Sequence, residues 1–421
     1  MQTQIEGSQA VAAAVALCRP EVISCYPITP QTHIVERLSE MVRKGEIGSA
    51  SGGCRYINAE SEFGALSILI GASAAGARAY TATASQGLLF MTEAVYNASG
   101  LGLPIVMTIG NRAIGAPINI WNDHSDSMAL RDAGWIQLHA ESNQEAVDLH
   151  IQAFRLAEAL GCPVMVCMDG FVLTHAYEPV DLPTQAQVDA YLPPYEPIQL
   201  LDPDDPMTIG AMVGPEAFAE VRYLAHHTQL RALEEIATLK AEFLRQFGRE
   251  SGGLTECYRT GDAETILVAL GSVNGTIRDV VDEMRDAGVP VGSLKIGAYR
   301  PFPVGAVREA LHPCKRAIVV EKDLAPGKGG IVSSDVKMAL RGLPVIVQTV
   351  IAGLGGRSIT KASLIRMINE ARAGKLDEPH FLDLDWDVIR TELARRRQRR
   401  RAGPTAEHVL RQVNAVASKV V

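Results

Sequence analysis

Three short pieces constrain this chain's fold more than anything else: Tyr26-Pro27-Ile28-Thr29-Pro30, Ala59-Glu60-Ser61-Glu62-Phe63-Gly64 and Gly110-Asn111-Arg112-Ala113. Each follows an apolar run that reads as a buried strand, and each places a polar or charged group where that strand stops. Ligands in open α/β sheets bind outside the carboxyl ends of the strands. Ends that offer a hydroxyl, a carboxylate and a guanidinium therefore predict one shared crevice.

The runs alternate with helical stretches, so a mostly parallel sheet with helices on both faces is expected. At 421 residues, two such doubly wound α/β domains are the natural division. A low aromatic share, 5%, beside 37 glycines suits tight strand-to-helix turns better than a β-sandwich. The first domain spans residues 1–176, with strands at 22–25, 55–58, 79–84, 104–109, 135–138 and 164–168. From 177 prolines accumulate, which marks a linker, and a long helix from Glu216 to Phe247 bridges to residue 255. The second domain, 256–375, has strands at 265–270, 291–296, 317–321 and 345–349. Residues 376–421 form a tail holding the basic run Arg395 to Arg401, read equally as a docking segment for an acidic partner or a solvated helix face.

Each candidate residue has a plainer reading beside the functional one. Thr29, held extended between two prolines, also suits a helix cap. Glu60 and Glu62 also compensate a helix dipole, yet Glu62 adjoins a very apolar helix, where a carboxyl serves acid–base chemistry. His124 between Asp123 and Asp126 reads as a loop hydrogen-bond network ahead of a metal site, and no metal ligands are assigned. Gly271-Ser272 at a helix entry suits an anion. Neither GxGxxG nor GxxxxGK[ST] occurs.

A net charge of −8 gives no basic footprint for nucleic acid. Phe63 to Ala77 is too short for a membrane span, and the start lacks a secretory pattern. Seven cysteines without a CxxC exclude an iron–sulfur run and a zinc ribbon, so reduced thiols in a cytoplasmic protein are expected.

The opening motifs continue in order through Thr83-Ala84-Ser85-Gln86-Gly87, Ile120-Trp121-Asn122-Asp123-His124, Met168-Asp169-Gly170-Phe171, Met207-Thr208-Ile209-Gly210, Tyr299-Arg300-Pro301-Phe302-Pro303 and Val320-Glu321-Lys322-Asp323. With them the chain resembles the alpha subunit of 2-oxoacid:ferredoxin oxidoreductases, the pyruvate:ferredoxin oxidoreductase family. The resemblance implies a thiamine diphosphate pyrimidine-binding domain followed by a transketolase C-terminal-like domain. Thiamine diphosphate is then shared with a beta subunit that carries the diphosphate and Mg²⁺ half, in keeping with the lack of a GDG…N signature here. Gamma and delta-type subunits bring iron–sulfur clusters, coenzyme A is co-substrate, and ferredoxin or an NAD-reducing subunit takes the electrons. By the same resemblance Glu62 bonds N1′ of the aminopyrimidine, Thr29 and Arg112 hold the substrate carbonyl and carboxylate, and Pro27, Ser85 and Gln86 line the pyrimidine pocket. Ser125 stands where relatives commonly carry Gln, which suggests room for a bulkier 2-oxo acid such as phenylglyoxylate. The alternatives are a non-redox thiamine-dependent decarboxylase or transferase, and a scaffold subunit without chemistry.

Overall fold

The structure is a computed structural model and describes residues 2–48, 52–398 and 405–417. Its first half builds a seven-stranded sheet from β2 (Val22–Cys25), β3 (Arg55–Asn58), β4 (Ala79–Thr83), β5 (Val106–Asn111), β6 (Ile136–His139) and β7 (Val164–Asp169). The seventh strand, β12 (Ala298–Arg300), comes from the second half of the chain. The order is β12-β6-β7-β5-β4-β2-β3. All pairs are parallel except β12 on β6, where Ala298 faces Leu138.

Successive side chains of a strand point to opposite faces, and both faces here are apolar. Val164, Val166 and Met168 of β7 enter one core, while Met165 and Cys167 enter the other. The helix Asn143–Leu160 covers the first face; Ser142 caps it at Glu145 N, 3.2 Å, and Gly161 ends it at φ 58°. The apolar helix Glu62–Ala74 covers the second, capped by Ser61 at Gly64 N, 3.1 Å.

A second sheet holds β9 (Thr255–Tyr258), β10 (Thr265–Ala269), β11 (Val291–Ile296), β13 (Arg316–Glu321), β14 (Ile346–Ile351) and β15 (His380–Phe381) in the order β15-β14-β13-β10-β11-β9. It is parallel but for β9. Ile266 and Val268 serve one core, Leu267 and Ala269 the other.

Several elements differ from the sequence reading. Residues 177–191 are not bare linker: β8 (Tyr177–Asp181) pairs antiparallel with β1 (Gln2–Glu6), and a helix follows at Gln185–Tyr191. After β4 come two helices, Ser85–Phe90 and Thr92–Gly100, separated at Met91. The bridging helix, Phe218–Phe247, buries Ala232, Ile236, Leu239 and Phe243, all from its midpoint onward. Two helices, Trp386–Gln398 and Thr405–Ala417, pack together in the tail. Of the basic run, Arg399, Arg400 and Arg401 lie outside the described residues. Among the described residues no helix is long and apolar enough to cross a membrane.

Candidate active site

In the first sheet the chain steps from β2 out to β3, then returns past β2 to β4. The carboxyl ends of β2 and β4 therefore flank the switch in strand order, where a crevice opens. The loop leaving β2 is closed on itself: Gln31 donates through Nε2 to Tyr26 O, 3.0 Å, and through its backbone N to Ile28 O, 3.0 Å. This leaves Pro27 and Thr29 exposed at its tip. Pro30 and Gln31 pack near Gly110 at the end of β5, where a Cβ would make ordinary contact with both at 3.5 Å.

Arg112 follows β5 and is 6% exposed. Its Nη1 donates to Thr29 O, 2.9 Å, and its Nε to Asn119 O, 3.0 Å. Two carbonyls hold the guanidinium, and among the described residues no side-chain carboxylate forms an ion pair with it. Burial lowers its pKa, and the charge of Asp126 opposes that. An anionic ligand would complete this arrangement, because a planar fork pairs well with a carboxylate.

Glu60 is exposed, whereas Glu62, first residue of its helix, is 7% exposed. The Glu62 carboxylate lies against the turn after β4: a Cβ on Gly87 would meet Glu62 Oε1 at 2.5 Å and Thr83 Oγ1 at 2.6 Å. A larger residue there would force the Glu62 carboxyl or the Thr83 hydroxyl aside. Among the described residues Thr83 Oγ1 is buried without a partner, so this corner holds a carboxylate and an unspent hydroxyl together. Ser85 opens the turn at φ +47°, and its Oγ donates to Ala113 O, 2.5 Å, with Gln86 Oε1 also at 2.5 Å. The half-buried Gln86 amide lies where a Cβ on Gly115 would come within 2.5 Å of Nε2.

Asp126, which the sequence reading left in a polar loop, ties these ends together. Its Oδ2 accepts from Ser85 N, 2.9 Å, and Arg112 N, 3.0 Å; its Oδ1 accepts from Asn111 Nδ2 and Ser127 N, both 2.8 Å. Burial pushes its pKa up to about 6 even against those four donors. The crevice is thus one connected body, from Glu62 through the β4 turn and Asp126 to Arg112 and Thr29.

The loop 119–126 is a hydrogen-bond network. Asp123 Oδ1 accepts from Ser125 N, 3.0 Å, and Ser125 Oγ, 2.5 Å, while its Oδ2 accepts from Gly355 N, 3.0 Å. Ser125 Oγ also accepts from Ile114 N, 3.2 Å, so this hydroxyl supports the loop. A Cβ on Gly356 would strike Trp121, which shows how closely 353–356 buttresses the loop.

Behind it, Asp169 at the end of β7 binds His124 Nε2, 2.7 Å, Lys322 Nζ, 3.0 Å, and Ser272 through its N, 3.0 Å, and its hydroxyl. Burial alone would raise this carboxyl, but Lys322, His124 and Ser272 together hold it well below the ordinary range. The anion expected at Gly271-Ser272 is therefore this side chain. A signal for Asp169 was present: an acid ends an apolar run, and Gly170 follows it where a Cβ would lie 2.4 Å from Asn111 O.

A cleft of about 720 Å³ lies elsewhere. It opens at the amino-terminal edge of the first sheet between Leu101, Trp135, Cys162, Leu224 and Phe302. None of the groups just described lines it.

Residues 13–240 match the family described as pyruvate flavodoxin/ferredoxin oxidoreductase, thiamine diphosphate-binding, and residues 263–364 match pyruvate:ferredoxin oxidoreductase core domain II. The chain is 46% identical over 396 residues to pyruvate synthase subunit PorA of Methanosarcina barkeri, covering 91% of this chain and 97% of that one. It is 37% identical over 389 residues to ketoisovalerate oxidoreductase subunit VorA of Pyrococcus horikoshii, covering 91% and 96%. The fold is similar to that of 2-oxoglutarate:ferredoxin oxidoreductase from Magnetococcus marinus, solved with 2-oxoglutarate, coenzyme A and succinyl-CoA bound. There the TM-score is 0.65 at 20% identity, over 88% of this chain and 65% of that chain.

Proposed function

Because this chain belongs to the pyruvate flavodoxin/ferredoxin oxidoreductase family, we propose that it is the alpha subunit of a thiamine diphosphate-dependent 2-oxoacid oxidoreductase. The complex converts a 2-oxo acid and coenzyme A to acyl-CoA and CO₂. Electrons pass through iron–sulfur clusters of partner subunits to ferredoxin or NAD.

The observation that carries this reading is the corner where buried Glu62 and the partnerless Thr83 hydroxyl face Gly87. A buried carboxyl and an unspent hydroxyl at the end of β4 offer hydrogen-bonding partners for an aminopyrimidine ring in the strand-end crevice. When bound, thiamine diphosphate supplies the carbon nucleophile that attacks the 2-oxo group. Glu62 holds the proton shared with N1′, and the apolar helix behind it keeps water from competing. Ser85 and Gln86 border the ring, with Pro27 at the loop tip. Arg112 takes the substrate carboxylate, and the Thr29 hydroxyl orients the carbonyl.

The diphosphate and Mg²⁺ half is carried by a beta subunit, which meets this chain at the strand-end crevice; gamma and delta-type subunits complete a cytoplasmic assembly. Its working units are residues 1–176 and 256–375, joined by 177–255, with 376–421 appended. Pyruvate heads the substrates, by the similarity to PorA, with a branched or aromatic 2-oxo acid as the bulkier option at Ser125. The test is anaerobic: viologen reduction by the isolated complex with coenzyme A, against pyruvate, branched-chain, dicarboxylic and aromatic 2-oxo acids. Reduction with one class supports the assignment and names the substrate. Release of free aldehyde without reduction refutes it.

A further inference from the structure

Glu6, His33 and His175 bring one metal-ligating atom each to within 4.8 Å of one another. They come from three separated elements: the end of β1, the first turn of the helix Thr32–Arg43, and the turn after β7. Backbone bonds fix that meeting point, with Gly7 N donating to Ala176 O, 3.0 Å, and Ser8 N to Thr174 O, 2.9 Å. Glu6, 9% exposed, has Oε1 2.7 Å from His33 Nδ1. The two imidazole rings are 4.9 Å apart. His175 Nδ1 is 2.7 Å from the hydroxyl of buried Thr174, which leaves its Nε2 for a ligand. That hydroxyl is itself fixed by accepting from Phe171 N, 2.7 Å. A ligating histidine whose other nitrogen is oriented by an outer hydroxyl is the usual construction of a protein metal site.

We propose that Glu6, His33 and His175 form a binding site for one divalent transition-metal ion of the Zn²⁺ class. Two imidazoles and a carboxylate are borderline ligands that suit Zn²⁺, Co²⁺ or Ni²⁺; Mg²⁺ and Ca²⁺ favour oxygen alone. Three protein ligands leave a fourth position of a tetrahedron for water. A tetrahedral ion needs its ligand atoms about 3.3 Å apart, so binding would require the part-exposed histidines to rotate. The ion would tie β1 to the helix that begins just beyond the Thr29 loop. Phe171 packs on both His175 and Trp121, each 4.7 Å ring to ring, so the site also touches the loop that holds Arg112.

The experiment titrates the metal-free full-length chain with Co²⁺ under anaerobic conditions, followed by visible absorption. The expected result is one ion per chain, a d–d spectrum of nitrogen and oxygen ligands, displacement by Zn²⁺, and a Tm raised by Zn²⁺. His33→Ala and His175→Ala should each weaken binding about a hundredfold or more. Thr174→Val, which only removes the outer partner, should weaken it about tenfold. Glu6→Gln, which keeps a hydrogen bond to His33, should weaken binding while leaving the metal-free Tm unchanged. No stoichiometric binding, thiolate-to-cobalt charge-transfer bands, or equal binding by the histidine variants would overturn the proposal.

Discussion

The molecule builds the same crevice twice and uses the two copies differently. In the first sheet the switch between β2 and β4 ends on Thr29 and Ser85, and Glu62 and Arg112 beside it are held by carbonyls, backbone and glycine. In the second sheet the strand order turns between β10 and β13, whose ends supply Ser272 and Lys322. There Asp169 of the first domain fills the place of a ligand, bonded to both. One crevice keeps a cation without a carboxylate partner among the described residues, and the other has its cation neutralised from within. Topology supplies the position of a site; whether it binds a guest or joins two domains depends on which side chain reaches it first.

Substitutions can break that contrast. The largest effect is expected for Glu62→Gln, which should lower turnover by about 10²–10⁴-fold while subunit assembly, checked by size-exclusion chromatography, is unchanged. Asp169→Asn should do the reverse: it leaves the Lys322 ammonium buried without its carboxylate, at a cost of about 3–5 kcal/mol of stability read from urea unfolding, while the active-site residues stay in place. Matching phenotypes for these two variants would erase the distinction between the crevices. Arg112→Lys keeps the charge but loses the fork, and should raise KM for the 2-oxo acid by about 10- to 100-fold. No change in KM would remove Arg112 from substrate binding.

The smallest effect concerns Asp126, whose pKa rises from 3.8 to about 6 on folding. The folded state holds this proton more tightly, so the contribution is fully favourable below about pH 4 and lost as pH rises through about 6. Between those limits wild-type stability should fall by roughly 2 kcal/mol more than that of Asp126→Asn. Parallel stability curves for the two proteins would remove this group from the pH response.

How much of this was legible in the sequence follows from where each element's partners lie. Apolar runs placed β2 and β11 at their observed residues, because strands buried on both faces carry their own signal; β3 was placed as well, although it is an edge strand with no fully buried residue. β1, β8, β9 and β12 are short, and three of them are largely exposed; they exist only because a distant strand supplies the ladder. Glu62 and Arg112 stood out as charges ending or following apolar runs. Asp126 did not, and although Asp169 ends an apolar run its task stayed hidden, since a carboxylate's role is set by its donors. Those of Asp169 come from Ser272 and Lys322, far along the chain. The Gly87 notch was equally silent, because nothing local says which side chain will lie against it.

The pairing of β12 with β6 carries a consequence for biogenesis. β6 is fully buried in the finished sheet, yet its outer neighbour is translated roughly 160 residues later, after the second sheet has begun. At the usual 5–20 residues per second the ribosome leaves that edge unsatisfied for about 10–30 s. An unpaired strand edge is a template for pairing with another chain. Nascent copies on one message are thus exposed to mispairing at a moment the mature protein never revisits, and early chaperone engagement would matter more for yield than the stability of the finished fold.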